Sequence, residues 1–90
     1  MDGKVHLTLT QAVASRIKEL LREKKMTQYK FEQVSGIAHG HLGHILYGRK
    51  SGSNKTLSFT TVVLIAQGFD MSLSEFLNSP YFDYEKINVD

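Results

Sequence analysis

Apolar residues recur at helical spacing in several separate stretches of this 90-residue chain. Val13, Ile17, Leu20 and Leu21 share one face and predict a helix over about 11–24. Phe31 and Val34, three apart, give a second helix an inward stripe over about 28–35. Leu42, Ile45 and Leu46 repeat the i, i+3, i+4 pattern and predict a third, over about 38–47. Between these two lie Ser35 and Gly36, with Ile37 closing the turn. Thr27 is placed to cap the second helix, and Gly36 to take the left-handed conformation that stops it. Farther on, Ser58 caps a helix whose inward stripe reads Phe59, Val62, Val63, Ala66 and Phe69, with Gly68 at its end. Ser72 and Glu75 form an S-x-x-E capping box for a short helix over about 72–78, with Leu73, Phe76 and Leu77 directed inward and Pro80 ending it. Val5 to Leu9 alternates like a strand but is too short to stand alone. Five short helices with local connections predict an all-α domain.

A helix that begins one or two residues after a glycine stop leaves at a steep angle, which is the build of a helix-turn-helix. Here the residues resemble the lambda-repressor/Cro-like family of bacterial and phage regulators. The pattern T-Q-x-x-apolar-x-x-x-S-G-I, then apolar-x-x-I-x-x-G, is matched by Thr27, Gln28, Phe31, Ser35, Gly36, Ile37, Leu42, Ile45 and Gly48. Downstream, LIAQGFDMSLSEFL is similar to the family's fourth and fifth helices, so the resemblance covers about Val13 to Leu77. It implies a compact five-helix lambda-repressor-like DNA-binding domain over residues 11–79, preceded by an arm at 1–10 and followed by an acidic, aromatic tail at 80–90. Glu32 departs from the pattern, since the family usually places a small residue there, facing the next helix.

Composition narrows the function classes. The length suits one small domain rather than a domain with an added sensor or catalytic unit. There is no cysteine, which excludes disulfides and thiolate metal sites and fits a cytoplasmic setting. No apolar run approaches membrane-spanning length, and the N-terminus lacks a signal-peptide pattern. The Ser51–Lys55 segment SGSNK reads as a loop inside the domain. The net charge of +2 conceals an asymmetry: residues 1–69 hold ten Lys/Arg against four acids, and residues 70–90 hold five acids against Lys86 alone. The positive part coincides with the helix-turn-helix, as a phosphate-binding footprint requires.

On a helical wheel, Ala38, Leu42, Ile45 and Leu46 share the inward side of the third helix. Gly40, Gly43, His44 and Tyr47 face outward, with His39 and His41 at the flanks. The resemblance implies that Ala38, His39, Gly40, His41 and His44 approach base edges, His39, Gly40 and His44 holding the positions that most often do so. Imidazole can donate to or accept from a base edge. For the phosphates, Gln28 matches the family's backbone-contacting glutamine at a helix N-terminus, flanked by Thr27, Tyr29, Lys30 and Tyr47. Arg49, Lys50 and Lys55 lie in the following loop, which in relatives runs beside the duplex. Arg16, Lys18, Arg22, Lys24 and Lys25 carry less weight, because a solvated helix face explains them equally.

Other chemistries find little support. His41 and His44 are three apart, but His39 lies on another side of the helix, and no cysteine or patterned carboxylate completes a metal site. Neither a phosphate-binding glycine loop nor a nucleophile elbow is present, so no enzyme activity and no cofactor are expected. Leu64 stands where relatives are often polar, and Tyr81, Phe82, Tyr84 and Ile87 extend beyond the last family helix. The tail residues are expected to pack back on the domain or on a second subunit, near Leu64, and so help form the dimer. The sequence therefore reads as a transcriptional regulator, a repressor binding palindromic operator DNA as a homodimer. The alternative is an antitoxin-like or co-regulator module that keeps the helix-turn-helix as a scaffold for protein contact.

Overall fold

In a computed structural model, residues 7–48, 57–83 and 87–88 are described. Within them the order is β1 (Leu7–Thr8), α1 (Leu9–Glu23), α2 (Gln28–Ser35), α3 (His39–Tyr47), α4 (Phe59–Gly68), α5 (Leu73–Leu77), a 3-10 turn at Pro80–Phe82, and β2 (Ile87–Asn88). The all-α expectation holds, and none of these helices is long and apolar enough to cross a membrane.

Local cap chemistry sets most helix starts. Thr27, Ser58 and Ser72 each accept a hydrogen bond from the backbone N–H three residues on, satisfying donors that have no partner inside the helix. At Ser72 the bond is reciprocated, because the Glu75 carboxylate accepts from the Ser72 N–H at 3.1 Å. A second capping box, which the apolar spacing does not reveal, opens α1. Thr8 Oγ1 accepts from the Gln11 N–H at 3.1 Å, while Gln11 Oε1 accepts from the Thr8 N–H at 3.0 Å. This box starts α1 at Leu9, so Leu9 and Thr10, expected ahead of the helix, form its first turn. The alternating fragment also finds a partner, since Leu7 and Thr8 pair in parallel with Ile87 and Asn88.

The core forms where α1 meets α3 and α2 meets α4. Val13, Ile17, Phe31, Leu42, Ile65 and Phe76 are essentially inaccessible, as is Phe69, whose ring stacks on Phe31 with centroids 4.3 Å apart. Gly68 does not end α4 through a left-handed conformation; Asp70, at φ 57°, takes that role. Gly68 instead marks a close approach. A Cβ at this position would lie 2.8 Å from both Phe31 Cε1 and Ser35 Cβ, so only a glycine lets α4 sit this near α2.

That contact explains several departures from the expected stripes. Because α2 meets Gly68 through Phe31 and Ser35, Val34 is rotated off the contact and is 47% exposed. The face of α4 runs through Thr61, Ile65, Ala66, Gly68 and Phe69. Val62 is half-buried against it, and Phe59 in the first turn is 70% exposed. Ile65, absent from the expected stripe, is fully buried. On α5, Phe76 supplies the buried contact while Leu77 is exposed. In α3, Ala38 is exposed and caps without a side-chain bond, whereas Gly43 is buried rather than outward.

Arg16 ties α1 to α5. Its Nε donates to the Phe76 carbonyl at 2.8 Å and its Nη2 to the Glu75 carbonyl at 3.0 Å, while Nη1 pairs with Glu19 at 2.7 Å. The guanidinium thus satisfies the Phe76 carbonyl, which a helix as short as α5 leaves open at its end, and shares the Glu75 carbonyl with the Asn78 N–H. Arg16 is a structural cation, not a free solubilising one.

Two predictions follow from this packing. Gly68→Ala should lower stability by about 1–3 kcal/mol through overpacking against Phe31 and Ser35. Gly43→Ala, whose Cβ would meet nothing within 4 Å, should gain up to about 1 kcal/mol from helix propensity. Thermal or denaturant melts of the two variants check the opposite signs. The second concerns acid. The backbone N–H and the hydroxyl of Ser72 hold the Glu75 carboxyl below the usual carboxylate range, with Lys24 acting in the same direction. A depressed folded pKa contributes stability above the ordinary carboxylate value, and that stability is lost as pH falls through the folded value. Glu75→Gln keeps an acceptor but removes the charge, so its melting temperature should fall less steeply with acid than that of the wild type.

Candidate nucleic-acid interface

The turn between α2 and α3 is built from three consecutive residues. Gly36 adopts φ 77°, which closes α2 at no steric cost. Ser35 Oγ accepts from the Ile37 N–H at 3.2 Å, tightening the corner, and Ile37 inserts into the core. Leu42, Ile45 and Leu46 then anchor α3 and leave its other edge to solvent. Ala38, His39, Gly40 and His41 are exposed along that edge, and His44 is half-buried.

Beside it stands the N-terminus of α2. Thr27 uses its hydroxyl on the Lys30 N–H at 3.0 Å, and Tyr29 and Lys30 are exposed. An open cleft of about 400 Å³ separates this end of α2 from α3, lined by Gln28, Tyr29, Glu32, His39, Gly43 and Tyr47. Gly43 lies at its floor. The structure thus brings together Thr27, Gln28, Tyr29, Lys30 and Tyr47 with the exposed edge of α3. Arg49, Lys50 and Lys55 lie outside the described residues.

A chain of hydrogen bonds crosses the cleft. The Tyr47 hydroxyl donates to Gln28 Oε1 at 3.1 Å, Gln28 Nε2 donates to Glu32 Oε2 at 3.2 Å, and His39 Nδ1 lies 2.6 Å from the same carboxylate oxygen. The Lys18 ammonium stands 5.1 Å from the centre of the Tyr47 ring, within cation–π range. In the sequence Glu32 stands out only as a departure from the family pattern, and Lys18 as one of several cations on a solvated helix face. Contacts 19 and 29 residues apart leave no periodic trace, although a carboxylate seven residues before a histidine across a tight turn was a usable signal.

The tail residues lie elsewhere. Tyr81 and Phe82 are half-buried in the 3-10 turn against α1, with the Phe82 ring 5.8 Å from that of Phe76. Ile87 pairs with Leu7, Leu64 is partly exposed on α4, and Tyr84 falls outside the described residues.

Comparison with solved structures finds the restriction-modification controller protein C.AhdI from Aeromonas hydrophila, at a TM-score of 0.60 and 19% identity, over 74% of this chain and 94% of that one. The chain shares that structure's helical fold, in which α2 and α3 form a helix-turn-helix. At this identity the likeness to C.AhdI is one of architecture, and C.AhdI shares the all-α helix-turn-helix arrangement. No protein-family model matches the chain, and no curated protein matches it.

Proposed function

We propose that this chain is a sequence-specific double-stranded DNA-binding transcriptional regulator, in which α3 enters the major groove and the N-terminus of α2 meets the backbone. The observation that carries the reading is the juxtaposition of the exposed α3 edge with the exposed start of α2 on one side of the molecule. A helix N-terminus offers unpaired N–H groups and a favourable field to a phosphate, and the neighbouring edge offers imidazoles and a bare backbone to base edges. The helix-turn-helix fold shared with a controller protein supports it further.

In this reading Thr27, Gln28, Tyr29, Lys30 and Tyr47, with Arg49, Lys50 and Lys55 farther along the sequence, contact phosphates. Ala38, His39, Gly40, His41 and His44 face the bases. The charge distribution agrees, since the acids concentrate after Phe69 while the helix-turn-helix half is basic. One such helix reads only a few base pairs. Useful specificity therefore calls for two copies on half-sites about one helical turn apart, and a palindromic operator follows from that symmetry. Leu64, partly exposed on α4, is the residue we assign to the contact between copies, and occlusion of promoter DNA in the cytoplasm is the regulatory outcome.

Affinity for duplex DNA should fall steeply with salt, because each neutralised phosphate releases counterions. Replacing both Arg49 and Lys50 with Ala should weaken binding to all duplexes alike and reduce the slope of log K against log salt by about 1–2. Fluorescence anisotropy at several salt concentrations measures it. A wild-type chain whose duplex affinity is weak and independent of salt would sink the DNA-binding reading.

A further inference from the structure

The hydrogen bonds across the cleft have a direction. An ionised carboxylate can only accept, so Glu32 requires a donor from each of its partners. Gln28 must then turn Nε2 toward Glu32, leaving Oε1 to receive the Tyr47 hydroxyl, and the 3.1 Å contact is found there. By the same logic the 2.6 Å contact requires the proton on His39 Nδ1. The Glu32 side chain is held close to the protein at 13% exposure, whereas that of His39 is 75% exposed. One ring edge is therefore occupied at the helix-turn-helix corner, and the Nε2 edge is left to meet a ligand.

We propose that Glu32 is a specificity-determining residue that acts through His39, holding a proton on Nδ1 so that the ring in its neutral form presents Nε2 as a hydrogen-bond acceptor. This rests on the DNA-binding reading. The acceptor fits the exocyclic amino groups exposed in the major groove, cytosine N4 or adenine N6, and is mismatched to guanine, which shows only the N7 and O6 acceptors there. Glu32 touches no base in this arrangement. It is a positioning residue, doing for an imidazole what an outer carboxylate does for a metal-bound histidine: selecting the tautomer and holding the ring.

The test combines nitrogen-15 spectra of the histidine rings with binding to duplexes varied at each base pair of the site selected by the wild-type chain. Both are run at a pH where the spectrum shows His39 neutral. The wild-type ring should be protonated on Nδ1. Glu32→Ala, which leaves a good helix former in α2, should shift the ring toward the Nε2–H form that neutral imidazole favours in water. It should also change the preference at one base pair by about tenfold, away from the amino-bearing base. In a His39→Ala background the same substitution should leave base preference unchanged, because the two residues act as one unit. An unaltered tautomer in Glu32→Ala overturns the inference, as does an altered tautomer with unaltered base preference. A wild-type chain that binds no duplex removes the inference along with the reading beneath it, a result distinct from a chain that binds DNA and is indifferent to Glu32.

Discussion

The absence of a side chain at Gly68 is the constraint on which the arrangement of the helix-turn-helix depends. With the Phe31 ring and the Ser35 Cβ each 2.8 Å from where a Cβ would be, α2 and α4 approach at a distance no other residue permits. The approach brings Phe31 onto Phe69 and aligns Ser35 so that its hydroxyl can tighten the corner at Ile37. The candidate interface rests on this contact together with a second one: α2 is seated on α4 at Gly68, and α3 is held against α1, with Leu42, Ile45 and Leu46 buried in the core.

Much of this architecture was legible in the sequence, and the legible parts share a cause. Thr27, Gly36, Ser58 and the Ser72–Glu75 box act within three or four residues, so their chemistry is complete in a short window, and α2 begins and ends where the sequence placed it. The failures are tertiary. Val34, Phe59 and Leu77 are apolar at helical spacing yet exposed, because helices of five to ten residues bury only the narrow strip their neighbours reach. Gly68 looked like a stop signal because glycine at a helix end usually is one; only the position of α2 reveals the close approach. The pairing of Leu7–Thr8 with Ile87–Asn88 joins the two ends of the chain, which no local pattern encodes.

The candidate site divides in the same way. That α3 would expose a histidine-rich edge beside Gln28 could be read from spacing and family resemblance. That Gln28, Glu32, His39 and Tyr47 would be bonded into one chain could not. An acid on a surface proposed to meet phosphates weakens attraction to DNA, so Glu32 costs something in that setting. Its bonds to Gln28 and His39 offset the cost by ordering two side chains that would otherwise lose rotamer freedom on binding. Arg16 shows the converse. A cation in the basic half of the chain is committed to the α5 carbonyls and Glu19, so charge counts alone overstate the footprint available to phosphates.

The central claim is that the start of α2 and the exposed edge of α3 form the DNA-binding face, and amide chemical-shift mapping tests it most directly. Adding a duplex that carries a single half-site to nitrogen-15-labelled protein should move the resonances of Gln28, Tyr29, Lys30 and His39 to His44 together, while those of α4 and α5 stay in place. Shifts confined to α4 and α5, or none at duplex concentrations well above that of the protein, would contradict the account.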